Sequence, residues 1–367
     1  MKIKKLQGFK QITPFMVSQD QNPLETIKNC GIDMYSNVNY QSKYNIGVGS
    51  MTVLGNTFSG LKLTTPAVSS CPVMALKILD NADRLKDKAL QVGFRLTQQG
   101  TAFKANMLTL MRGSSQISIT EITTRANDSS AYYELIIINT LGSHPSYNGQ
   151  INLIKVSVWM NKINIGNYMI PNVSGSGQPV YLDFGSNAIR PLNDDSFTFC
   201  VGDIYIAEVD YNADKTVTAE PLGAITIEPF NVTTYTGDKH TNTKGQDIVT
   251  ALNTVDPNND MGVLSLKPVE QPATLTFAQP GIAGKKVLGI GVNFVYKDSA
   301  APNNRISYQI TEGTTQLPEE MITDRKDDIT GYTTFSRILT TPEGGGAWNA
   351  DNLKFKLDMF NRGADVE

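Results

Sequence analysis

Histidine is nearly missing from this chain of 367 residues: there are two, His144 and His240, both in turn-like sequence. That scarcity removes most of the material for a Ser-His-Asp or Cys-His nucleophile and for a histidine-ligated metal centre. Cysteine is almost as scarce. Cys30, Cys71 and Cys200 are odd in number, widely spaced and free of any CxxC pair, which argues against a disulfide framework or zinc site and for buried free thiols in a reducing cytoplasm. No apolar run approaches the roughly 18 residues of a membrane helix; the densest is "LIIIN" at 135–139. The start, "MKIKKLQGFKQITPF", is basic but lacks the apolar stretch of a signal peptide, so a soluble product is expected. Neither sign of charge dominates. With 32 Lys and Arg against 35 Asp and Glu, net −3, there is no basic field for phosphate backbones or anionic lipid. Nucleic acid and membrane are not expected partners.

Paired acids are also wanting. Hydrolysis of a glycosidic bond needs two carboxylates a few ångströms apart, yet Glu134 stands alone in "YYELIIIN" and Asp183 alone in "YLDFG". No catalytic residue and no cofactor is expected. The acidic stretch "DPNNDMG" at 256–262 has its glycine one place late for a calcium loop and Lys267 at the twelfth position, so it reads as an Asx-rich turn. Asp194 and Asp195 in "RPLNDDS" read as a polar turn, and no metal site is expected. The sequons at Asn127, Asn172 and Asn231 are what chance gives in a chain rich in Asn and Thr.

What is present is alternation with period two, the mark of half-buried strands. It runs through "ALQVGFRLT" (Leu90, Val92, Phe94, Leu96), "QISITEI", "AYYELIIIN", "IKVSVWM", "VYLDFG" and "SFTFCVGDIYIAEVD", with turn residues between. Only "DNADRLKDKAL" has a passable helical composition. Alternation fades after Asp210, where Pro, Thr and Gly accumulate. It resumes in "KKVLGIGVNFVYK", "RISYQITEG" and "LKFKLDMF". The length suits two domains, each with its own core, and the fold class is all-β, two antiparallel sandwiches. Trp159 and Tyr181 fall on strand faces opposite the assigned core and are the candidate interface residues. Gly344, Gly345 and Gly346 permit a sharp reversal that sets Trp348 against its own sheet as an internal latch.

Two resemblances refine this. From Leu153 to Asp210, a strand pair around a turn at Asn161 and Lys162, then "PVYLDFGSN", then "DIYI" in a closing strand resembles the back half of concanavalin A-like (laminin-G-like, jelly-roll) sandwiches. Lys162 replaces the glycine usual in that turn. The ending, "GYTTFSRILTTPEGGGAWNADNLKFKLDMFNRG", resembles that of tailed-phage virion proteins, in which a P…G.AW…L…F loop introduces the last strand. Pro342, Gly346, Ala347, Trp348, Leu353 and Phe355 stand at the matching places. The fading alternation and these likenesses together give the expected organisation: an N-terminal arm over 1–15, a lectin-like sandwich over 16–211, a linker over 212–246 and a second sandwich over 247–363. The phage likeness further implies a structural protein of a virion's tail, baseplate, collar or capsid surface, made in the host cytoplasm. Such a protein assembles with other virion proteins and with itself. The alternative it leaves is a host-adhesion module that binds surface glycan.

Overall fold

The computed structural model describes residues 1–12, 14–18, 26–27, 30–32, 35–39, 45–65, 73–100, 102–103, 108–112, 115–119, 129–171, 178–185, 190–191, 197–212, 214, 216–217, 219–237, 241–242, 247–253, 264–266, 271–296, 305–323 and 333–363. Cys71, Asn127, Asn172, Asp194, Asp195, His240, the 256–262 turn and Lys267 lie outside them. The chain divides into two compact units: Met1–Phe9, Pro14–Glu25 and Asp33–Ile227 form unit 1, and Lys10–Thr13, Thr26–Ile32 and Glu228–Glu367 form unit 2. Of the 212–246 stretch expected to link the domains, the part up to Ile227 belongs to unit 1 and the rest to unit 2.

The strands of unit 1 are Lys2–Gln7 (β1), Phe15–Ser18 (β2), Tyr35–Asn39 (β3), Asn45–Val53 (β4), Asn56–Thr65 (β5), Val73–Leu79 (β6), Lys88–Gln99 (β7), Ala102–Phe103 (β8), Leu108–Arg112 (β9), Ser115–Ile119 (β10), Ser129–Ser143 (β11), Gln150–Met160 (β12), Ile163–Pro171 (β13), Val180–Phe184 (β14), Arg190–Pro191 (β15) and Phe197–Asp210 (β16). Nine of them make one antiparallel sheet in the order β13-β12-β11-β7-β16-β5-β4-β2, with β1 also on β16. Five make a second, β10-β9-β14-β6-β3. The two are layers of a sandwich. Phe94 of the large sheet stacks on Tyr133, ring centroids 5.8 Å apart, and meets Phe184 of the small sheet edge-on at 5.1 Å. Leu90, Val92, Leu96, Leu135, Ile137, Val156, Val158, Val180 and Leu182 are buried with them; burial contributes about 1.5–3 kcal/mol for each large side chain. The 80s segment expected to be helical forms the 3-10 turn Ala82–Lys86, capped by the Asn81 side chain.

Two features depart from simple alternation. The N-terminal stretch Lys2–Gln7 is a strand, paired antiparallel with 204–208 of β16. β16 carries a bulge between Gly202 and Tyr205, with Asp203 at φ +48. The bulge falls between the residues of β16 that pair with β5 and those that pair with β1.

Unit 2 comprises Val232–Thr236 (β17), Thr241–Asn242 (β18), Leu264–Ser265 (β19), Ala273–Phe277 (β20), Ile290–Tyr296 (β21), Ile306–Glu312 (β22), Thr315–Gln316 (β23), Glu320–Thr323 (β24), Thr333–Leu339 (β25), Phe355–Asn361 (β26) and a helix, Ile248–Leu252. Its main sheet runs β17-β20-β26-β22-β23 with β24 on β22, and β21 and β25 form a separate ribbon. Phe294 and Phe335 of that ribbon pack on Tyr308 of the sheet, centroids 4.9 and 5.7 Å apart. Leu275, Ile310, Leu357 and Met359 complete the core. Ahead of β26, Gly345 and Gly346 sit at φ +75 and +83, a region that favours glycine. The reversal they make buries Trp348, 8% exposed, against Ile290, Leu353 and Phe355. The expected latch is present, though Gly344 contributes no left-handed turn.

Candidate functional site

β12 and β13 form a hairpin on a two-residue turn, Asn161 and Lys162, both in the left-handed region at φ +48 and +70. On β12, Val156 and Val158 point into the sandwich, so Ser157 and Trp159 take the outer face. Trp159 lies opposite Glu134 on one side and Asn164 on the other; Ser157 lies opposite Asn167 and Lys155 opposite Met169. Asn167 donates to Asn164 at 3.2 Å. Trp159 is half-buried and Met169 48% exposed. This outer face, an indole and a thioether among amides and a lysine, is the surface on which the first candidate contact residue stands.

The neighbouring outer face of β7, β11 and β16 is occupied by the chain itself. Alternation should leave that face wet, yet Gln91, Tyr132, Glu134 and Tyr205 are all buried. A buried carboxylate is costly unless hydrogen-bonded, and Glu134 is fully so. Its Oε1 accepts from Tyr205 Oη (2.6 Å), the Leu222 amide (2.8 Å) and Gln91 Nε2 (3.1 Å), and its Oε2 from the Gly223 amide (2.7 Å). Asp203 adds a second fastening, accepting from Arg95 Nε and from the Ile227 amide, each at 3.1 Å. Arg95 also lies 4.8 Å over the Phe58 ring. The segment 220–227 is thereby strapped to the sheet by three of its own N–H groups. Burial and the nearby Glu134 charge push the Tyr205 and Tyr132 hydroxyls well above the ordinary phenol range, so both stay protonated donors. Glu134 is alone in sequence but not in space, and its role is to hold the fold. The signal that marks it is a single acid inside the apolar run "YYELIIIN", which must find donors once buried.

Tyr181 belongs to β14, where Val180, Leu182 and Phe184 are buried and Tyr181 and Asp183 are half-buried on the outward face of the small sheet. Tyr181 pairs with Lys77 and Asp183 with Ala75 and Thr109. Burial raises the Asp183 carboxyl to about 6, and its buried Oδ1 has no hydrogen-bond partner among the described residues. Trp159 and Tyr181 thus lie on opposite outer faces of the sandwich and do not form one site. Among the described residues no group of three or more His, Cys, Asp and Glu is placed to hold a metal, and no helix is long and apolar enough to cross a membrane. His144 Nδ1 accepts from the Ser146 amide at 3.2 Å in a turn. Cys200 is buried, its thiol pushed up to about 12 by desolvation.

No family model matches the sequence, and no curated protein does. Among solved structures, the chain is similar to the CBM22-1–CBM22-2 tandem domain of Xyn10C from Paenibacillus barcinonensis, with 10% identity and a TM-score of 0.24 over 98% of this chain and 89% of that one. It is also similar to the tandem CBM51 modules of Sp3GH98, a family 98 glycoside hydrolase of Streptococcus pneumoniae, with 9% identity and a TM-score of 0.22 over 96% and 97%. A third likeness is to botulinum neurotoxin type C, whose cell entry depends on two ganglioside molecules, with 11% identity and a TM-score of 0.21 over 92% and 95%. Values this low assign the chain neither a family nor a ligand.

Proposed function

We propose that the chain is a non-enzymatic structural component of a tailed-phage virion that works by stable association with other virion proteins and with itself. The observation that carries this reading is the use of charge and aromatic surface in unit 1. Its carboxylates Glu134, buried, and Asp203, half-buried, are engaged in fastening the 220–227 strap, while Trp159 and Met169 stand on the outer face of an edge hairpin that has no acid between Ile163 and Pro171. Aromatic anchors among polar groups suit a protein partner, and a stable interface needs about 800 Å² from each side. The buried Trp348 loop supports the virion class through its likeness to phage protein endings. Incorporation of Trp159→Ala and Tyr181→Ala chains into particles tests it. Loss of incorporation with the fold retained supports assembly through these faces; full incorporation of both removes them as contacts.

A second reading, a glycan-binding adhesion module, has its own support in Tyr181 and Asp183. Tyr181 and Asp183, both half-buried, share one outward sheet face, and sugars use both a stacking plane and a carboxylate acceptor. Binding of the purified chain to host surface glycans, abolished by Tyr181→Ala, separates this reading from the first.

A further inference from the structure

We infer that the β4–β5 hairpin is a self-association surface whose anchor is Leu54 and whose partner is the same hairpin on a second copy of this chain. The inference rests on the association reading above and names its surface. β4 and β5 join through a two-residue turn, Leu54 and Gly55, both left-handed at φ +51 and +78. That turn type favours Asn-Gly, and a leucine in it is strained. Leu54 is moreover 83% exposed, and a Cβ built on Gly55 meets nothing within 4 Å. Neither the backbone nor the core of this molecule gains from a leucine there, so the gain lies outside it.

The hairpin is packed closely onto its neighbouring strand. At its root, Gly60 and Gly202 let β5 and β16 approach so closely that a Cβ on either would stand 2.3 Å from the Val201 carbonyl oxygen or 2.2 Å from that of Ser59. One face of the hairpin is buried through Met51 and Val53. The other presents Ser50 with Ser59 and Thr52 with Thr57, each hydroxyl pair 2.9 Å apart. From Asn45 to Leu61 the sequence has no charged residue.

Those facts select a second copy. A face that meets itself across a two-fold axis must be complementary to itself. Hydroxyls both donate and accept, and the pairs within the hairpin leave one donor and spare lone pairs on each side. A charged face would meet its own sign. A single leucine entering a bilayer would give only weak, reversible binding, so the lipid surface is the lesser fit.

Sedimentation velocity of the full chain over about 1 to 100 μM, with Leu54→Asn and Thr57→Lys, tests the inference. Leu54→Asn creates the favoured turn pair, so its melting temperature is expected to rise by about 2 °C while self-association weakens at least about tenfold. Thr57→Lys is expected to weaken self-association similarly through like charge across the axis. Unchanged association in both variants overturns this surface and leaves assembly through Trp159 and Tyr181 standing. A lowered melting temperature in Leu54→Asn, or a wild-type chain that stays monomeric, overturns the inference. So does flotation of the wild-type chain, but not Leu54→Asn, with phosphatidylcholine and phosphatidylglycerol vesicles.

Discussion

Three side chains show how far burial decides what a residue does. Trp348 is buried in its own unit and Trp159 only half-buried on an outer face, so Trp348→Ala is expected to cost about 3–5 kcal/mol and Trp159→Ala about 1 kcal/mol. Thermal melting of the two variants checks the order. Asp183 behaves differently because its folded carboxyl is raised to about 6 by burial. A raised acid binds its proton in the folded state where the unfolded state has lost it. Stability is therefore unaffected by this group below about pH 4 and falls as the pH rises from there to about 6. Allowing for partial exposure, the loss is about 1–2 kcal/mol. Asp183→Asn is expected to be more stable than wild type at pH 7 and equal to it at pH 3, measured by urea unfolding at both.

At the scale of the element, the strap is what sequence reading could not see. Glu134 and Asp203 bind backbone N–H groups of Leu222, Gly223 and Ile227, which carry no side-chain signature and lie far away in the chain. The alternation of β7, β11, β12, β14 and β16 was legible because their inner faces fill one core. The outer faces of β7 and β11 were not, because a polar layer and the strap bury them as well. Lys2–Gln7 escaped notice for a related reason: its lysines disguise a strand whose pairing to β16 is made by backbone. Glu134→Gln turns one acceptor into a donor facing an N–H, and is expected to cost about 2–3 kcal/mol. Amide exchange at Leu222 and Gly223 should then accelerate at least about tenfold, and unchanged protection there would show that the strap is held by something else. Gly93 tests the layer beneath. A Cβ there would lie 2.0 Å from Tyr205 Cε1, so Gly93→Ala is expected to destabilise by about 2–3 kcal/mol in denaturant unfolding.

At the scale of the whole molecule, each unit is a layered β structure with its own core, as the two blocks of alternation imply. Neither proposed contact residue was legible as more than a side chain on an outward face. Trp159 pairs with Glu134, which holds the strap, and Tyr181 lies on the opposite layer. The proposal that the chain works by stable association in a virion is tested most directly by the composition of the particle. If the proposed reading holds, quantitative mass spectrometry of purified virions of a tailed phage that carries this gene is expected to find this chain in a fixed small-integer ratio to the symmetry-related virion proteins. Its absence from purified virions, with the whole amount recovered in the soluble lysate, would contradict the account.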